Sequence, residues 1–311
     1  YTSGTQGNPK GVMLSHGGIL SNCEGSIHLL KEIISEKPKF LTWLPLSHSY
    51  EHTVQFVQIA IGAKVFYAES IDKLIKNMSD CNPDIMTAVP RFYQNLFQKI
   101  SSNFNKVKGF KKYLISKMLV LGKKKLLNEK LSFFENIENL ICEKLVRKKI
   151  KSQFGGALKA FISGGGALDK EVGIFLNSIG LPTLQGYGLT ETSPVVSCNP
   201  INDIRIETVG PPFRNNEVKI ADDGEILIKG ENVMLGYWNN ELETNKVLAT
   251  YKNNNKQTPI DYLSGLIENI ILEYDMTGNF KQRIERYATI LENTIKSLIP
   301  KDRALAILSE K

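Results

Sequence analysis

The chain has 311 residues, of which 42% are hydrophobic and 23% are charged. This size and composition fit one large or two modest globular domains, and no run approaches the roughly 18 apolar residues of a membrane span. The four cysteines lack the spacing of a disulfide framework or a metal site. This pattern argues against a small disulfide-stabilised secreted protein and favours a reducing, cytoplasmic compartment.

The formal net charge of +7 is concentrated in one segment. Residues 99–151 hold fifteen Lys and Arg against four Glu, a local charge of +11, which leaves −4 for the rest of the chain. Such a segment is typical of solvated helix faces, and also of basic amphipathic helices that lie on an anionic membrane surface. Both interpretations stay open. Nucleic acid is not expected as a partner, because no recognised binding module accompanies the charge.

Residues 1–11 form a loop with three glycines, two threonines, one serine and one lysine. Hydroxyls and backbone N–H groups in such a loop can surround a polyphosphate. A Walker A loop is excluded, because no Gly-Lys-Ser/Thr follows four residues after a glycine. Composition alone favours an ordinary polar turn.

The next elements alternate between helix and strand and predict an α/β fold. Strands are expected over 40–45, 63–67 and 84–89, and helices over 17–32, 54–61 and 72–81. The polar run 47–52 follows the first of these strands, where an α/β sheet presents side chains to a ligand crevice. His48 in this run either belongs to a capping network or faces a ligand.

Residues 92–152 are predicted to be helical throughout. Apolar residues recur at intervals of three and four while lysines fill the opposite faces, which is typical of amphipathic helices. The apolar positions are Phe110, Tyr113, Leu114, Met118 and Leu121, and then Phe133, Phe134, Ile137, Leu140, Ile141 and Leu145.

A predicted strand at 158–163 runs directly into Gly164-Gly165-Gly166-Ala167. Glycines at a strand terminus allow a flat ligand to approach the backbone closely, and a tight structural turn would use glycine as well. A helix is expected next over 169–179, followed by a strand over 181–184.

The segment 185–193 packs glycines, an aromatic ring, hydroxyls and a carboxylate into nine residues. Tyr187 can stack on a base, Thr190 can hydrogen-bond phosphate, and Glu191 can hold Mg²⁺ through oxygen. These residue types predict a nucleotide site.

A β-rich region follows, with a hairpin turn at 222–224. Tyr237 and Trp238 are expected to cover a sheet edge or the core. Residues 249–258 form a polar linker, and 259–311 have the apolar spacing of two antiparallel helices.

Together these stretches resemble the signatures of the AMP-forming acyl-CoA synthetases, the adenylate-forming family. The opening loop is similar to Tyr-Thr-Ser-Gly-Thr-Thr-Gly-x-Pro-Lys-Gly and departs from it at Gln6. Leu-Pro-Leu-Ser-His-x-x-Glu, at residues 44–51, resembles the next signature of the long-chain members. Residues 163–167 are similar to the family motif Ser-Gly-Gly-Ala, and residues 187–191 match the family motif Tyr-Gly-x-Thr-Glu. The helical stretch at about 92–152 resembles an insertion that long-chain synthetases carry.

The resemblance implies an α/β fold for residues 1–248, the central part of the large adenylate-forming domain, with sheets flanked by helices plus a β-rich region. The linker 249–258 and an unrelated-looking α-helical tail at 259–311 would follow. ATP, Mg²⁺ and coenzyme A are implied as cofactors or co-substrates, and fatty acid as the substrate.

The resemblance also assigns the site residues. Lys10, His48, Thr190 and Glu191 are the implied catalytic residues, with His48 beside the acyl carboxylate. The implied nucleotide-binding residues are Thr2, Ser3, Gly4, Thr5, Gly7, Lys10, Gly165, Gly166, Ala167, Gly186, Tyr187, Gly188 and Thr190. Glu191 is the implied Mg²⁺ ligand, and Thr2 a second one.

The implied function is ATP-dependent activation of a long-chain fatty acid to acyl-AMP and then acyl-CoA. The family's Gly-Trp-x-x-Thr-Gly-Asp segment and its mobile domain with a catalytic lysine find no match after about residue 246. We therefore expect a fragment of an enzyme lineage with impaired activity. The alternatives are a nucleotide- or acyl-binding, membrane-associated module without catalysis, or a gene remnant. Oligomerisation stays open, as does peripheral contact with the inner face of the membrane.

Overall fold

The computed structural model of the protein describes residues 1–2 and 8–248. The predicted linker at 249–258 and the predicted helical tail at 259–311 lie outside the described residues. In the described part, no helix is both long enough and apolar enough to cross a lipid bilayer.

The described part contains ten strands, most of them only four residues long. In chain order they are β1 (Val12–Met13), β2 (Lys39–Thr42), β3 (Lys64–Tyr67), β4 (Ile85–Ala88), β5 (Ala160–Ser163), β6 (Thr183–Gly188), β7 (Val195–Cys198), β8 (Glu217–Ile220), β9 (Ile226–Lys229) and β10 (Gly236–Tyr237).

Six of these strands form the central sheet, in the order β3-β2-β4-β5-β6-β7. The first five run parallel, and β7 pairs antiparallel with β6. All four residues of β4 are buried. A continuous buried run is typical of a central parallel strand covered on both faces. The predicted α/β fold is therefore confirmed for this part of the chain.

Within residues 8–248, nine α-helices accompany the strands. They are α1 (His16–Leu30), α2 (Ser49–Ala60), α3 (Leu74–Cys81), α4 (Pro90–Asn105), α5 (Gly109–Leu126), α6 (Phe133–Cys142), α7 (Lys148–Ser152), α8 (Lys170–Ser178) and α9 (Glu241–Val247). Glu143–Arg147 form a π-helical turn between α6 and α7, and Thr190–Thr192 form a short 3₁₀ turn.

The helix boundaries follow from local capping. The Ser15 hydroxyl accepts a hydrogen bond from the Gly18 amide at the start of α1, and the Asp169 carboxylate accepts one from the Val172 amide at the start of α8. Such caps satisfy N–H groups that have no partner inside the helix. Proline stands in the first turn of α4, where its missing N–H costs no helical hydrogen bond.

The prediction of unbroken helix over 92–152 is wrong at two places. The chain leaves helical geometry before α5 and again between α5 and α6. Gly109, the first residue of α5, has a φ of 63°, and Asn128, just after α5, has a φ of 57°. The interior of an α-helix excludes both values. Ser132 and Glu135 then restart the helix with a capping box.

The core lies between the sheet and the helices of this long helical stretch. Tyr93 of α4 packs edge to face on Phe161 of β5, with ring centroids 5.6 Å apart. Met118 of α5 and Leu176 of α8 are completely buried beside them. These contacts join the helical stretch to the same hydrophobic core as the sheet.

Outside the central sheet, β8 and β9 form an antiparallel hairpin, as predicted. Strands β1 and β10 form a separate antiparallel pair. Tyr237 of β10 is buried, as expected for an aromatic residue that covers a sheet edge. Trp238 is 65% exposed, so its predicted covering role is wrong. The chain leaves β10 at this point, which turns the indole outward.

Candidate active site

The central sheet brings three predicted segments to one edge. Strands β2, β5 and β6 belong to its parallel part, so their carboxyl ends point the same way. The run 43–48 follows β2, the glycine turn 164–167 follows β5, and the segment 187–191 closes β6. The carboxyl edge of a parallel sheet is where α/β proteins bind ligands.

The turn after β5 leaves its backbone open at this edge. Gly165, Gly166 and Ala167 are exposed. Gly165 has a φ of 75°, a left-handed conformation that side chains other than glycine rarely adopt. The next amide, that of Leu168, donates a 2.6 Å hydrogen bond to Gln185 Oε1 of β6. The turn is therefore fixed against the strand that carries the other predicted nucleotide residues.

Strand β6 extends through Gly186 and Tyr187 to Gly188, further than the predicted 181–184. A Cβ atom at Gly188 would lie 1.9 Å from the Pro194 carbonyl oxygen, so only glycine permits this approach of the two chain segments. Tyr187 is partly buried. Burial, and then the charge of Glu191, raises the pKa of its phenol.

Thr190 lies in the 3₁₀ turn that follows β6. Ser49 Oγ at the start of α2 donates a 3.5 Å hydrogen bond to Thr190 Oγ1. This contact links the segment after β2 to the segment after β6. Two of the predicted motifs therefore meet through their hydroxyl groups.

The base of the opening loop is closed by two hydrogen bonds. The Thr2 amide donates to the Lys10 carbonyl oxygen over 2.9 Å. The Lys10 amide donates to Thr2 Oγ1 over 3.0 Å. The four other loop residues assigned to phosphate, Ser3, Gly4, Thr5 and Gly7, lie outside the described residues, so their roles remain predictions.

The loop base is attached to β10. Strand β1 follows the loop directly and pairs with β10, with Val12 opposite Tyr237. The Trp238 amide also donates a 2.7 Å hydrogen bond to the Gly11 carbonyl oxygen. This pairing places the end of the loop beside the Tyr237 ring.

Lys10 and Glu191, two of the predicted catalytic residues, meet through Tyr237. The Lys10 ammonium lies 4.6 Å from the centroid of the Tyr237 ring. The Tyr237 hydroxyl donates a 2.8 Å hydrogen bond to Glu191 Oε1. Lys10 Nζ also forms a 2.9 Å ion pair with Glu243 Oε2 of α9. We call these four side chains, Lys10, Glu191, Tyr237 and Glu243, the lysine cluster.

The pKa shifts in the lysine cluster follow from these contacts. Hydrogen bonds from Lys246 and Lys10 lower the pKa of Glu243 to about 2. Burial, and then the hydrogen bond to Glu191, raises the pKa of Tyr237 to about 12. At neutral pH Glu243 is therefore an anion and Tyr237 a neutral donor.

His48 lies at the same edge of the sheet, and it is the N-cap residue of α2. Its side chain is exposed, and its Nδ1 accepts a 3.2 Å hydrogen bond from the Tyr50 amide. The capping interpretation of this polar run is therefore confirmed. Because Nδ1 accepts, the proton of the neutral ring lies on Nε2, which can donate to a ligand. Capping and ligand binding are compatible for this residue.

Glu51, three residues further on, is completely buried. Its Oε2 accepts a 2.8 Å hydrogen bond from Thr87 Oγ1, and burial raises the pKa of the carboxyl group. Sequence reasoning placed this glutamate in a motif but gave it no role. The motif itself was the signal that could have identified it.

The fit to Mg²⁺ depends on Glu191. In the described part of the chain, no three His, Cys, Asp or Glu side chains are grouped so that they could hold a metal ion. Mg²⁺ is usually bound through one or two carboxylates together with substrate phosphates and water. Glu191 at the edge of the sheet fits such a metal brought by a nucleotide. The assignment of Thr2 as a second ligand remains a prediction.

Sequence reasoning gave Tyr237 only a structural role and did not identify Glu243. Tyr237 carried no local signal for the site, because only the pairing of β1 with β10 brings its ring there. Glu243 carried no signal, because it stands in the first turns of a helix where acidic residues are ordinary.

Together, the sheet edge, the glycine turn, the Tyr-Gly-Leu-Thr-Glu segment and the loop base define a nucleotide-binding enzyme of the α/β class. Residues 1–238 match the family of AMP-binding enzymes. The chain belongs to this family, and the adenylate-forming resemblance seen in its motifs is confirmed.

Several relatives with curated names are long-chain acyl-CoA ligases or synthetases. The chain is 30% identical over 250 residues to long-chain-fatty-acid–CoA ligase FadD15 of Mycobacterium bovis, covering 80% of this chain and 42% of the relative. It is 33% identical over 264 residues to the peroxisomal long chain acyl-CoA synthetase 6 of Arabidopsis thaliana, covering 80% of this chain and 36% of the relative. The chain thus spans about two fifths of the length of these relatives.

Solved structures agree on the fold. The o-succinylbenzoate CoA synthetase of Bacillus subtilis, in complex with ATP and magnesium, gives a TM-score of 0.56 at 20% identity, covering 80% of this chain and 44% of that one. ATP-bound MatB from Rhodopseudomonas palustris gives 0.55 at 22% identity, covering 79% and 42%.

Proposed function

We propose that residues 1–248 are the central part of an adenylation domain that activates a long-chain fatty acid with ATP. The observation that carries this proposal is the lysine cluster at the edge of the sheet. It joins the base of the phosphate-type loop to the glutamate of the Tyr-Gly-Leu-Thr-Glu segment through one tyrosine ring. The names of the curated relatives supply the substrate class.

In the proposed first step, an oxygen of the fatty acid carboxylate attacks the α-phosphorus of ATP. The bond from this phosphorus to the oxygen of the β-phosphate breaks, and pyrophosphate leaves with its electron pair. The product is acyl-AMP. In the second step the thiol of coenzyme A, after loss of its proton, attacks the acyl carbon and AMP leaves.

Charge gathers on phosphoryl oxygens in such a reaction, so the protein chiefly has to position the reactants and stabilise negative charge. Lys10 and the loop amides would bind the β- and γ-phosphates. Thr190 would donate to a phosphate oxygen, and Glu191 would hold Mg²⁺, which neutralises phosphate charge when bound. His48 Nε2–H would orient the fatty acid carboxylate.

The adenine ring would lie between the exposed glycine turn and Tyr187. Gly165 and Gly166 allow the flat ring to approach the backbone, and the Tyr187 ring offers an aromatic surface for stacking. Gly186 and Gly188 contribute by keeping β6 close to its neighbour, so that Tyr187 stays at the edge.

The charged groups of the proposed site are paired with each other in the structure. Glu243 binds the Lys10 ammonium where the proposal places a phosphate, and Tyr237 binds the Glu191 carboxylate where it places Mg²⁺. Both contacts are single and partly exposed, so a ligand with several charges can replace them. We propose that ATP with Mg²⁺ takes over both groups on binding.

The proposal also covers thioester formation with coenzyme A and the cellular compartment of the protein. The family match ends at residue 238, and the curated relatives are more than twice as long as the matched region. We propose that adenylation is supported better by these residues than thioester formation. The cysteines of the described part are free and buried, which agrees with a cytoplasmic setting.

The deciding experiment measures pyrophosphate release from ATP with Mg²⁺ and saturated fatty acids of increasing chain length. We expect release that depends on a long-chain acid and is lost, by about 10²–10³-fold, in Glu191→Ala. Glu225→Ala, an exposed glutamate in the β8–β9 hairpin, is the matched control and should keep the rate.

Two results would reject the enzyme. Saturable ATP binding without pyrophosphate release would support the non-catalytic binding module instead. Absence of both binding and release would support a gene remnant.

A further inference from the structure

Helix α6 carries its apolar side chains on the outside of the molecule. Six apolar residues at intervals of three and four form one exposed stripe along this helix and the π-helical turn that follows it. Phe133 and Phe134, at its start, are 75% and 77% exposed. The stripe consists of Phe133, Phe134, Ile137, Leu140, Ile141 and Leu145. We call it the α6 stripe.

The polar face of α6 is turned toward the protein. Glu138 accepts a 2.9 Å hydrogen bond from Tyr113 and forms a 3.0 Å ion pair with Lys117, both on α5. Glu135 forms an ion pair with Lys124, which also belongs to α5. A surface helix usually buries its apolar face and exposes its charges, and α6 does the reverse. Burial of Asn139 and Cys142 on the same face, with Cys142 Sγ 3.6 Å from the Leu114 carbonyl oxygen of α5, fixes this orientation.

Lysines bracket the α6 stripe. Lys130 precedes the helix, Lys144 stands next to Leu145, and Lys148 and Lys149 follow the stripe in the same continuous helical run. All four are exposed. They belong to the segment 99–151 with its charge of +11. The exposed surface thus combines apolar side chains that can enter a hydrocarbon layer with ammonium groups that can bind phosphate.

We propose that the α6 stripe and its flanking lysines dock this protein on an anionic lipid membrane. A second copy of the chain would satisfy the apolar side chains, but it would bring two strongly basic segments face to face. A bilayer with anionic headgroups accepts the phenylalanines at the boundary of its acyl region and the lysines at its surface. Charge complementarity therefore favours the membrane.

This docking surface goes beyond the proposed adenylation, and it lies on the helical stretch instead of the sheet edge. Its test needs neither ATP nor fatty acid. Vesicle binding can therefore fail while adenylation stands, and the reverse is also true.

The experiment is flotation of the full chain with vesicles of phosphatidylcholine, with and without about one third phosphatidylglycerol. We expect binding that requires the anionic lipid and weakens with added salt. Phe133→Gln with Phe134→Gln should weaken binding at least about tenfold, from the loss of two apolar side chains. Lys144→Gln and Lys148→Gln should each cost about fivefold.

A matched pair of single variants separates the stripe from general surface hydrophobicity. Leu140 and Ile71 are aliphatic residues with similar exposure, 60% and 71%, and only Leu140 belongs to the stripe. Leu140→Gln should weaken vesicle binding and Ile71→Gln should not. Because both side chains are exposed, the thermal midpoints should stay close to that of the original chain, which shows that each variant folds.

Three results would overturn the proposal. The first is vesicle binding that is equal in the stripe variants and in Ile71→Gln. The second is absence of binding to anionic vesicles. The third is a dimer in sedimentation that dissociates in Phe133→Gln with Phe134→Gln, because the stripe would then be covered by a second copy.

Discussion

The carboxyl edge of the sheet and the helical stretch 90–152 differ in where their charged side chains lie. At the edge, the charged groups of the lysine cluster are partly exposed and are paired with one another or with Tyr237. In the helical stretch, Glu135 and Glu138 are tied inward to α5 while the α6 stripe faces outward.

This difference separates two kinds of binding surface. Single contacts between exposed charges contribute little to stability, so a charged ligand can replace them. An inverted amphipathic helix needs a fixed anchor, because exposing apolar area is unfavourable in water. The sheet edge is thus suited to reversible binding of a small anion. The helical stretch is suited to contact with an extended apolar surface.

The largest expected effect concerns the anchor of the helical stretch. Arg147 is buried and donates hydrogen bonds to the carbonyl oxygens of Ser178 and Met118, at 2.8 and 3.1 Å, and to Asn139 Oδ1 at 2.8 Å. Arg147→Ala removes these three buried hydrogen bonds and should lower the free energy of unfolding by about 3–5 kcal/mol, measured by urea denaturation. Arg147→Lys should lose less. A loss under about 1 kcal/mol for Arg147→Ala would show that this anchor is not needed.

The next effect concerns the backbone of the sheet edge. Gly188→Ala would place a methyl group 1.9 Å from the Pro194 carbonyl oxygen and should destabilise the fold by about 2–3 kcal/mol. Gly166→Ala is the control, because its Cβ would meet Pro90 at 3.6 Å, an ordinary contact. Thermal unfolding of the two variants gives the comparison. Equal midpoints would mean that the backbone adapts to the added methyl group, contrary to the requirement for glycine at position 188.

The smallest effect is a pH dependence that arises at Glu51. Burial raises its pKa in the folded protein above the value of about 4.3 in the unfolded chain. As pH rises past that value the unfolded chain loses its proton first, so stability falls with pH until the folded carboxyl also ionises. Glu51→Gln should remove this decline. Denaturation of both proteins between pH 4 and 8 measures it. Identical pH profiles would contradict a buried, titrating Glu51.

Local pattern predicted much of the fold. The strands expected at 40–45 and 84–89 form as β2 and β4, because short apolar runs ended by proline fit buried parallel strands. The breaks around α5 were missed, since Gly109 and Asn128 carry weak local signals inside a strongly periodic pattern. Periodicity also cannot say which face of α6 points outward. The buried contacts of Asn139 and Cys142 decide that orientation.

The site was predictable where a motif lies within one segment. Tyr187, Thr190 and Glu191 lie together because they are neighbours in the chain. The pairing of Lys10 with Glu243 joins residues 233 positions apart, and no local pattern encodes it. The same holds for Tyr237, which reaches Glu191 only because β1 pairs with β10.

The lysine cluster leads to the most direct test of the account. Calorimetric titration of ATP with Mg²⁺ should show saturable binding to the original chain. Glu243→Gln frees Lys10 and removes an anion from the phosphate position, so it should bind ATP about twofold to fivefold more tightly. Glu241→Gln removes the same charge from the same helix without touching Lys10 and should change affinity less than twofold. Absence of saturable binding, or Glu243→Gln that binds no more tightly than the original chain, would contradict the account.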